Sequence, residues 1–474
     1  MKHQFAKTLF IVVLFTFSAL PPVHAQINFT NLHSFNDTND GNHPLAGLVL
    51  QGNTLYGTTY TGGSLSNGTV FAVHTDGTSF TNLYSFGGTN GGANPYANLI
   101  ISGNTLYGTT RDGGSSSNGT VFAINTDGTG YTNLHSFTAS STNSSGLYTN
   151  SDGANPYTRL ILSGNSLYGT AYSGGSLGFG TVFAINTDGT GFTNLYSFTG
   201  LSTGLSEGAY PQAGLILSGN TLYGTTDGEG FLNGAPVAGT IFAINTDGTG
   251  FTNLYTFGGI NDGGNPEASL VLSGNTLYGT TLTGGSFNEG TVFAINTNGT
   301  SYTNLYSFSF TNSDGALPQA SLILSGNTLY GTASEGGGFG NGTVFAINTD
   351  GAGFTNLYNF TARIRLSTNS DGALPRASLI LSGNTLYGTA SGGGSFNDGT
   401  VFALSLPVPS LALSSIGNQI ILSWPTSAAN FNLQTSPDFF NCSNLTNGMA
   451  IVGGNYVFTN TVNGQSAFFR LQSQ

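Results

Sequence analysis

Beyond residue 7 the sequence contains no lysine. Six arginines (Arg111, Arg159, Arg363, Arg365, Arg376 and Arg470) face twenty carboxylates, a balance of −14 for that part of the chain. Nucleic acids and anionic membranes are bound by clustered Lys and Arg, so both are excluded as partners. One cysteine, Cys442, excludes an intrachain disulfide and reads as a buried or idle thiol. No run is long and apolar enough to span a bilayer, which needs roughly 20 residues. The nearest is Leu9–Leu20, behind the basic Lys2, His3 and Lys7 and before the small-residue site Val23-His24-Ala25. That arrangement predicts a signal peptide over 1–25 and a secreted or cell-surface protein with no later membrane span.

With 73 glycines and abundant Ser and Asn, disorder has to be considered. It is rejected because Leu, Ile, Val, Phe and Tyr recur at fixed places. The triplet Leu-Tyr-Gly occurs seven times, its tyrosines at 56, 107, 168, 223, 278, 330 and 387. Intervals of 51 to 61 residues are those of a solenoid or a propeller. Each copy holds four short apolar segments, resembling ASLILSGN, NTLYGTT, GTVFAIN and FTNLYSF. They are bounded by Gly, Asn and Asp, as strands are. Ser-Gly-Asn and Asn-Thr-Asp-Gly between them supply the positive φ angles of tight hairpin turns. Each repeat is therefore an antiparallel four-stranded meander. The glycine after the tyrosine, as at Gly279, is expected to let neighbouring sheets approach closely.

The segment count separates the two architectures. The first copy of the fourth segment, Phe29–Phe35, precedes every complete repeat, and the last repeat lacks one. A ring explains this, because the N-terminal strand would complete the last sheet. The prediction is an all-β, seven-bladed β-propeller over 27–406, closed by that outer strand. After Pro407 and Pro409 the pattern changes, and 407–474 reads as a small immunoglobulin-like β-sandwich around Trp424.

The phrase LYGTTxxGGxxxxGTVFAINTDG…LYSF resembles the GloVer tandem repeat, a family of exported bacterial repeat proteins. The resemblance covers about residues 27–406. It implies export and a variable C-terminal anchor, and no enzyme activity or site residue. A basic anchor tail is missing from the terminal sequence AFFRLQSQ.

Candidate chemistry is sparse. The connection between successive repeats carries a recurring acid or amide before glycine: Asp40, Asn90, Asp152, Glu207, Asp262, Asp314 and Asp371. The acids of this set, with Glu229 in the deviant loop 227–239, are the candidate binding residues. A carboxylate ring could bind Ca²⁺, but Asp and Asn before Gly also cap turns through their own side chains, and that reading is preferred. His33, His43, His74 and His135 are drift within the repeats, not a zinc set. No Gly-x-Ser-x-Gly elbow occurs and no histidine follows 135, which argues against a hydrolase triad. The glutamates are too irregular to pick out a glycosidase pair. Most aromatics fall on strands and read as core, with Tyr60, Tyr148, Tyr172 and Phe179 as exceptions. Asn67, Asn118 and Asn341 read as turn residues rather than glycan acceptors.

No catalytic residue, metal or cofactor is assigned. The expectation is a monomeric, non-enzymatic exported binding or scaffold protein whose loop face contacts a protein or glycan. The alternative is a secreted carbohydrate-active enzyme with its site at the channel mouth. Function is expected where the repeat breaks down, around 138–156, 199–211, 227–239 and 361–375.

Overall fold

A computed structural model describes residues 27–474, apart from 145, 201–206, 229–230, 233–234, 237, 311–312 and 363–367. Within the C-terminal part, 408–410, 417–418, 426–430, 437–441, 446–447, 453–454, 462–467 and 474 are also outside the described residues. The expected signal peptide, Glu229, Arg363 and Arg365 lie outside them too. Among the described residues there is no α-helix, and no helix long and apolar enough to cross a membrane.

The repeat words become strands where their alternation predicts them. In the first sheet these are Val49–Gln51, Thr54–Thr59, Thr69–His74 and Thr81–Ser85, paired in that order. Seven such four-stranded antiparallel sheets follow one another up to residue 405. Six take their strands in chain order, one of them with the small hairpin Phe231–Leu232/Ala235–Pro236 inserted between its second and third strands. The seventh joins Ile380–Ser382, Thr385–Ala390 and Thr400–Ser405 to the N-terminal strand Asn28–Ser34. That strand runs antiparallel to the last, from Asn28 opposite Ser405 to Ser34 opposite Thr400.

Each sheet packs on the next, and the seventh packs back on the first. At that last junction Leu55, Phe71 and Val73 meet Tyr387, Val401 and Ala403, with Leu32 and Phe35 of the N-terminal strand between them. The core therefore lies between sheets, and the second and third strands are buried almost throughout, threonines included. The glycine of Leu-Tyr-Gly has a different role from the one expected. A Cβ on Gly279 would lie 2.6 Å from Phe293 Cζ and 2.9 Å from Leu270 Cδ2. Phe293 is its partner on the adjoining strand of the same sheet. The missing side chain seats that ring over the backbone, and the neighbouring sheet packs on the ring.

Residues after 411 form a separate pair of sheets. One has four strands (Ala412–Ile416, Gln419–Pro425, Asn455–Thr461, Met449–Val452). The other has three (Ser443–Asn444, Phe431–Ser436, Phe468–Ser473). Leu422, Trp424, Leu433 and Phe458 are buried in its core.

Candidate functional site

Six of the seven acid-before-glycine positions hold a carboxylate, and each carboxylate is engaged by the fourth strand of the preceding sheet. The Tyr196 hydroxyl donates to Glu207 at 2.7 Å, Tyr255 to Asp262 at 2.9 Å, Tyr306 to Asp314 at 2.6 Å and Tyr358 to Asp371 at 2.7 Å. Histidine does the same work twice: His33 Nε2 lies 2.6 Å from Asp40 and His135 Nε2 lies 2.9 Å from Asp152. Backbone amides add to this, as Asn36 N does to Asp40 and Thr361 N to Asp371. Burial, followed by these carboxylate bonds, pushes the four phenols above their usual range. The preceding carbonyl is tied to the following sheet, as when Asn356 Nδ2 donates to Ser313 O at 2.7 Å. Each connection is thus clamped between two sheets. The acids are not brought together, and among the described residues no cluster of three His, Cys, Asp or Glu could hold a metal ion.

The same fourth-strand residues form a girdle around the ring. His33 stacks on Phe80 at 3.6 Å, Tyr84 on Tyr131 at 4.1 Å, His135 on Phe192 at 3.8 Å and Tyr196 on Phe251 at 4.0 Å. Tyr255 stacks on Tyr302 at 4.2 Å, Tyr306 on Phe354 at 3.9 Å and Phe29 on Tyr358 at 4.4 Å. Both junctions of the seventh sheet use the N-terminal strand, through Phe29 and His33. One position departs from the sequence reading. The Asn133 side chain donates to Asn90 O, as Asn82 does to Asn39 O. This puts Gly91, not Asn90, in the place of Asp40. The second connection has no carboxylate at this place; the Tyr131 hydroxyl of the following sheet donates to Gly91 O at 2.6 Å, as Tyr302 does to Asp262 O.

The chemistry that varies lies at the centre. The first strands of the sheets, or the segments that lead into them, line a channel of about 480 Å³, and all seven sheets contribute. Each is entered through a residue with left-handed backbone followed by proline. His43, Asn94, Asn155, Tyr210, Asn265, Leu317 and Leu374 have φ between 54° and 58°. A non-glycine residue is strained there by about 1–3 kcal/mol, and the residue before proline ordinarily stays extended. The carbonyl of this residue accepts from the amide that follows the second strand: Tyr60 N donates to His43 O at 3.0 Å and Asp227 N to Tyr210 O at 3.1 Å. The turn aims the residue after proline into the channel.

These positions have a fixed place in the frame and no fixed identity. After proline come Leu45, Tyr96, Tyr157, Gln212, Glu267, Gln319 and Arg376, all lining the channel. After the second strand come Tyr60, Arg111, Tyr172, Asp227, Leu282, Ser334 and Ser391. Tyrosines gather on one side. Tyr60 meets Tyr96 edge-on at 6.0 Å, Tyr96 meets Tyr157 at 5.3 Å, Tyr157 meets Tyr172 at 5.1 Å, and Tyr172 stacks on Tyr210 at 5.0 Å. Arg111 donates to the Tyr60 hydroxyl at 2.6 Å and lies 5.2 Å over the Tyr157 ring. Carboxylates and amides occupy the next sector. Gln212 and Asn265 donate to Asp227 at 3.0 and 2.7 Å, and Gln319 to Glu267 at 3.4 Å. Burial, with the charge of Asp227 behind it, pushes Glu267 up to about 7 against the opposing pull of Arg376 and Gln319. Gln319 Oε1, Arg111 Nε and Arg376 Nε are buried without a hydrogen-bond partner.

A second layer lies two residues deeper. Asn98 accepts from Gly47 N at 2.6 Å and donates to Ser378 Oγ at 2.6 Å, bridging the first, second and seventh sheets. Arg159 is exposed at the same level on the third sheet, and the surrounding protein lowers its affinity for a proton.

Of the residues singled out from sequence, Tyr60 and Tyr172 belong to this mouth. Phe179 packs beside it on Tyr210 at 5.8 Å, and Tyr148 is exposed in a small hairpin that lines a neighbouring hollow with Tyr210. The remaining mouth residues were missed. Their signal was present: aligning the repeats on Pro and on Leu-Tyr-Gly-Thr exposes two columns that vary within an otherwise fixed phrase.

The model of the Gloeobacter/Verrucomicrobia repeat matches residues 16–235 and 204–402. The chain belongs to this repeat family. No curated protein matches the sequence. Solved structures with a similar arrangement include a chain of a nidogen/laminin complex, at 13% identity, TM-score 0.39, and 64% of this chain against 91% of that one. A candidate 6-phosphogluconolactonase from Bacteroides uniformis shows 16% identity and TM-score 0.44, covering 90% and 99%. An oligogalacturonate lyase in complex with manganese shows 10% identity and TM-score 0.46, covering 81% and 97%. At this distance none of them informs the chemistry of the repeat protein.

Proposed function

We propose that this protein is a non-enzymatic, exported glycan-binding module, a seven-bladed propeller followed by an immunoglobulin-like sandwich, that takes a sugar at the channel mouth. The observation that carries the reading is the split mouth: five tyrosines on one arc and Asp227, Glu267, Gln212 and Gln319 on the next. A sugar ring has an apolar C–H face, which packs on aromatic rings, and a rim of hydroxyls, which carboxylates and amides bind in pairs. The channel volume falls within the roughly 300–1,000 Å³ of small-ligand sites. The partly accessible tyrosines suit a ligand whose ring packs against them. Calorimetric titration with a panel of oligosaccharides tests it. Binding should be lost in Tyr157→Ala with the melting temperature nearly unchanged, and a panel without any binder would refute the reading.

A second reading rests on Glu267. A carboxyl still protonated near neutral pH beside a second carboxylate is the environment of a general acid in glycoside cleavage. Release of reducing ends from a bound oligosaccharide, abolished in Glu267→Gln with binding retained, would replace the binding module by an enzyme.

A further inference from the structure

Cations are scarce in this chain, and their placement is uneven. Four arginines fall among the described residues. Arg470 belongs to the C-terminal sheets, where it donates to Gln434. The other three, Arg111, Arg159 and Arg376, all stand on the channel or its mouth. Two of them face a carboxylate. Arg111 Nε lies 3.7 Å from Asp112, and Arg376 stands close enough to Glu267 to favour its ionised form. Arg159 forms no ion pair among the described residues, and its side chain is accessible from the channel.

The site around Arg159 is built for it. It lines the channel two residues after Tyr157, in the segment that leads into the strand Ile161–Ser163. A Cβ at Gly214 would lie 3.2 Å from Arg159 Cβ and 2.8 Å from Ser269 Oγ, so the glycine leaves the arginine its space. The rest of that layer is neutral: Asn98, Ser269, Ser321 and Ser378 line the channel there, linked from sheet to sheet by hydrogen bonds. A guanidinium without an ion-pair partner in a recess of an acidic protein is stabilised by an anion of matching shape, since its planar fork meets two oxygens of a carboxylate or sulfate together.

We infer that the sugar taken at the mouth is anionic, and that its carboxylate or sulfate group reaches down to Arg159 while the ring rests on Tyr96 and Tyr157. This deepens the glycan-binding reading and rests on it. An overall net charge of −12 would otherwise repel such a ligand, so the specificity must come from this one recess.

The full chain should be titrated calorimetrically with three oligosaccharides of equal length: an oligouronate, a sulfated oligogalactan and a neutral oligohexose. One anionic arm should bind about tenfold tighter than the neutral one, and which arm does so identifies the group. Arg159→Gln should bring that arm down to the neutral affinity and leave neutral binding unchanged. Arg159→Lys should recover only part of the preference, because a point charge does not pair two oxygens at once. Equal affinity for charged and neutral arms in the unaltered protein overturns the inference, whether or not the variants fold. So does a preference that survives in Arg159→Gln. If no arm binds at all, the glycan reading itself falls, an outcome distinct from binding without preference for charge.

Discussion

The outer girdle and the channel mouth are built from the same repeat and obey opposite rules. At the girdle every sheet offers the same pair of rings and nearly every connection the same acid. Where the side chain changes, as from Tyr358 to His33, the contact does not: both donate to a carboxylate and both stack on the next sheet's aromatic ring. At the mouth the backbone is the constant. Seven left-handed residues before proline repeat to within a few degrees, while the residue that follows runs through Leu, Tyr, Gln, Glu and Arg. Uniform contacts hold a ring together, and non-uniform side chains on a uniform frame can distinguish one ligand from another.

The largest effect is expected at the girdle. Deleting Asn28–Phe35 removes one strand of the seventh sheet and two of the seven ring stacks, at its two junctions. The melting temperature should fall on the order of 10 °C or more, and unchanged melting would show that the ring does not depend on closure.

Removing an acid should have opposite signs in the two regions. At the mouth, Glu267 carries a folded-state value of about 7 against an ordinary 4.5. Between those values the unfolded chain has lost the proton and the folded chain still holds it, so stability falls as pH rises through that window and stays reduced above it. The deficit is about 3 kcal/mol at most. Glu267→Gln should therefore raise the melting temperature at pH 8 and change it little at pH 4. At the girdle, Asp371 is 2% exposed and accepts from Tyr358 and Thr361. Asp371→Ala leaves those donors unmet and should cost about 1–3 kcal/mol at neutral pH. Equal signs for the two substitutions would erase the distinction between the regions. The smallest effect is expected for Asn90→Ala, within about 0.5 kcal/mol, because the exposed Asn90 side chain is not part of the acid clamp.

The girdle and the sheets were legible in the sequence because their contacts are local in the repeat. Alternation, turn glycines and the orphan segment Phe29–Phe35 place the strands and pair the N-terminal one with Thr400–Ser405. The role of the Asp-Gly words was legible only as turn chemistry. That Tyr358 reaches Asp371 depends on how the connection folds back over the sheet it has just left, a distance of 13 residues that sequence spacing does not measure. The mouth was legible only as two variable columns in the repeat, and what those columns build was not. Tyr96, Asp227, Glu267 and Arg376 come from different sheets and meet only once the ring is closed. Read singly, each looks like drift within a repeat.

The measurement that bears most directly on the division between frame and mouth is oligosaccharide affinity in the double variant Tyr96→Ala/Tyr157→Ala, compared with Asp371→Ala. The mouth variant should lose binding while melting close to the unaltered protein. The girdle variant should melt lower while its folded fraction binds as before. Retained affinity in Tyr96→Ala/Tyr157→Ala, with loss in Asp371→Ala under conditions where it is folded, would place recognition at the outer connections and contradict a site at the channel mouth.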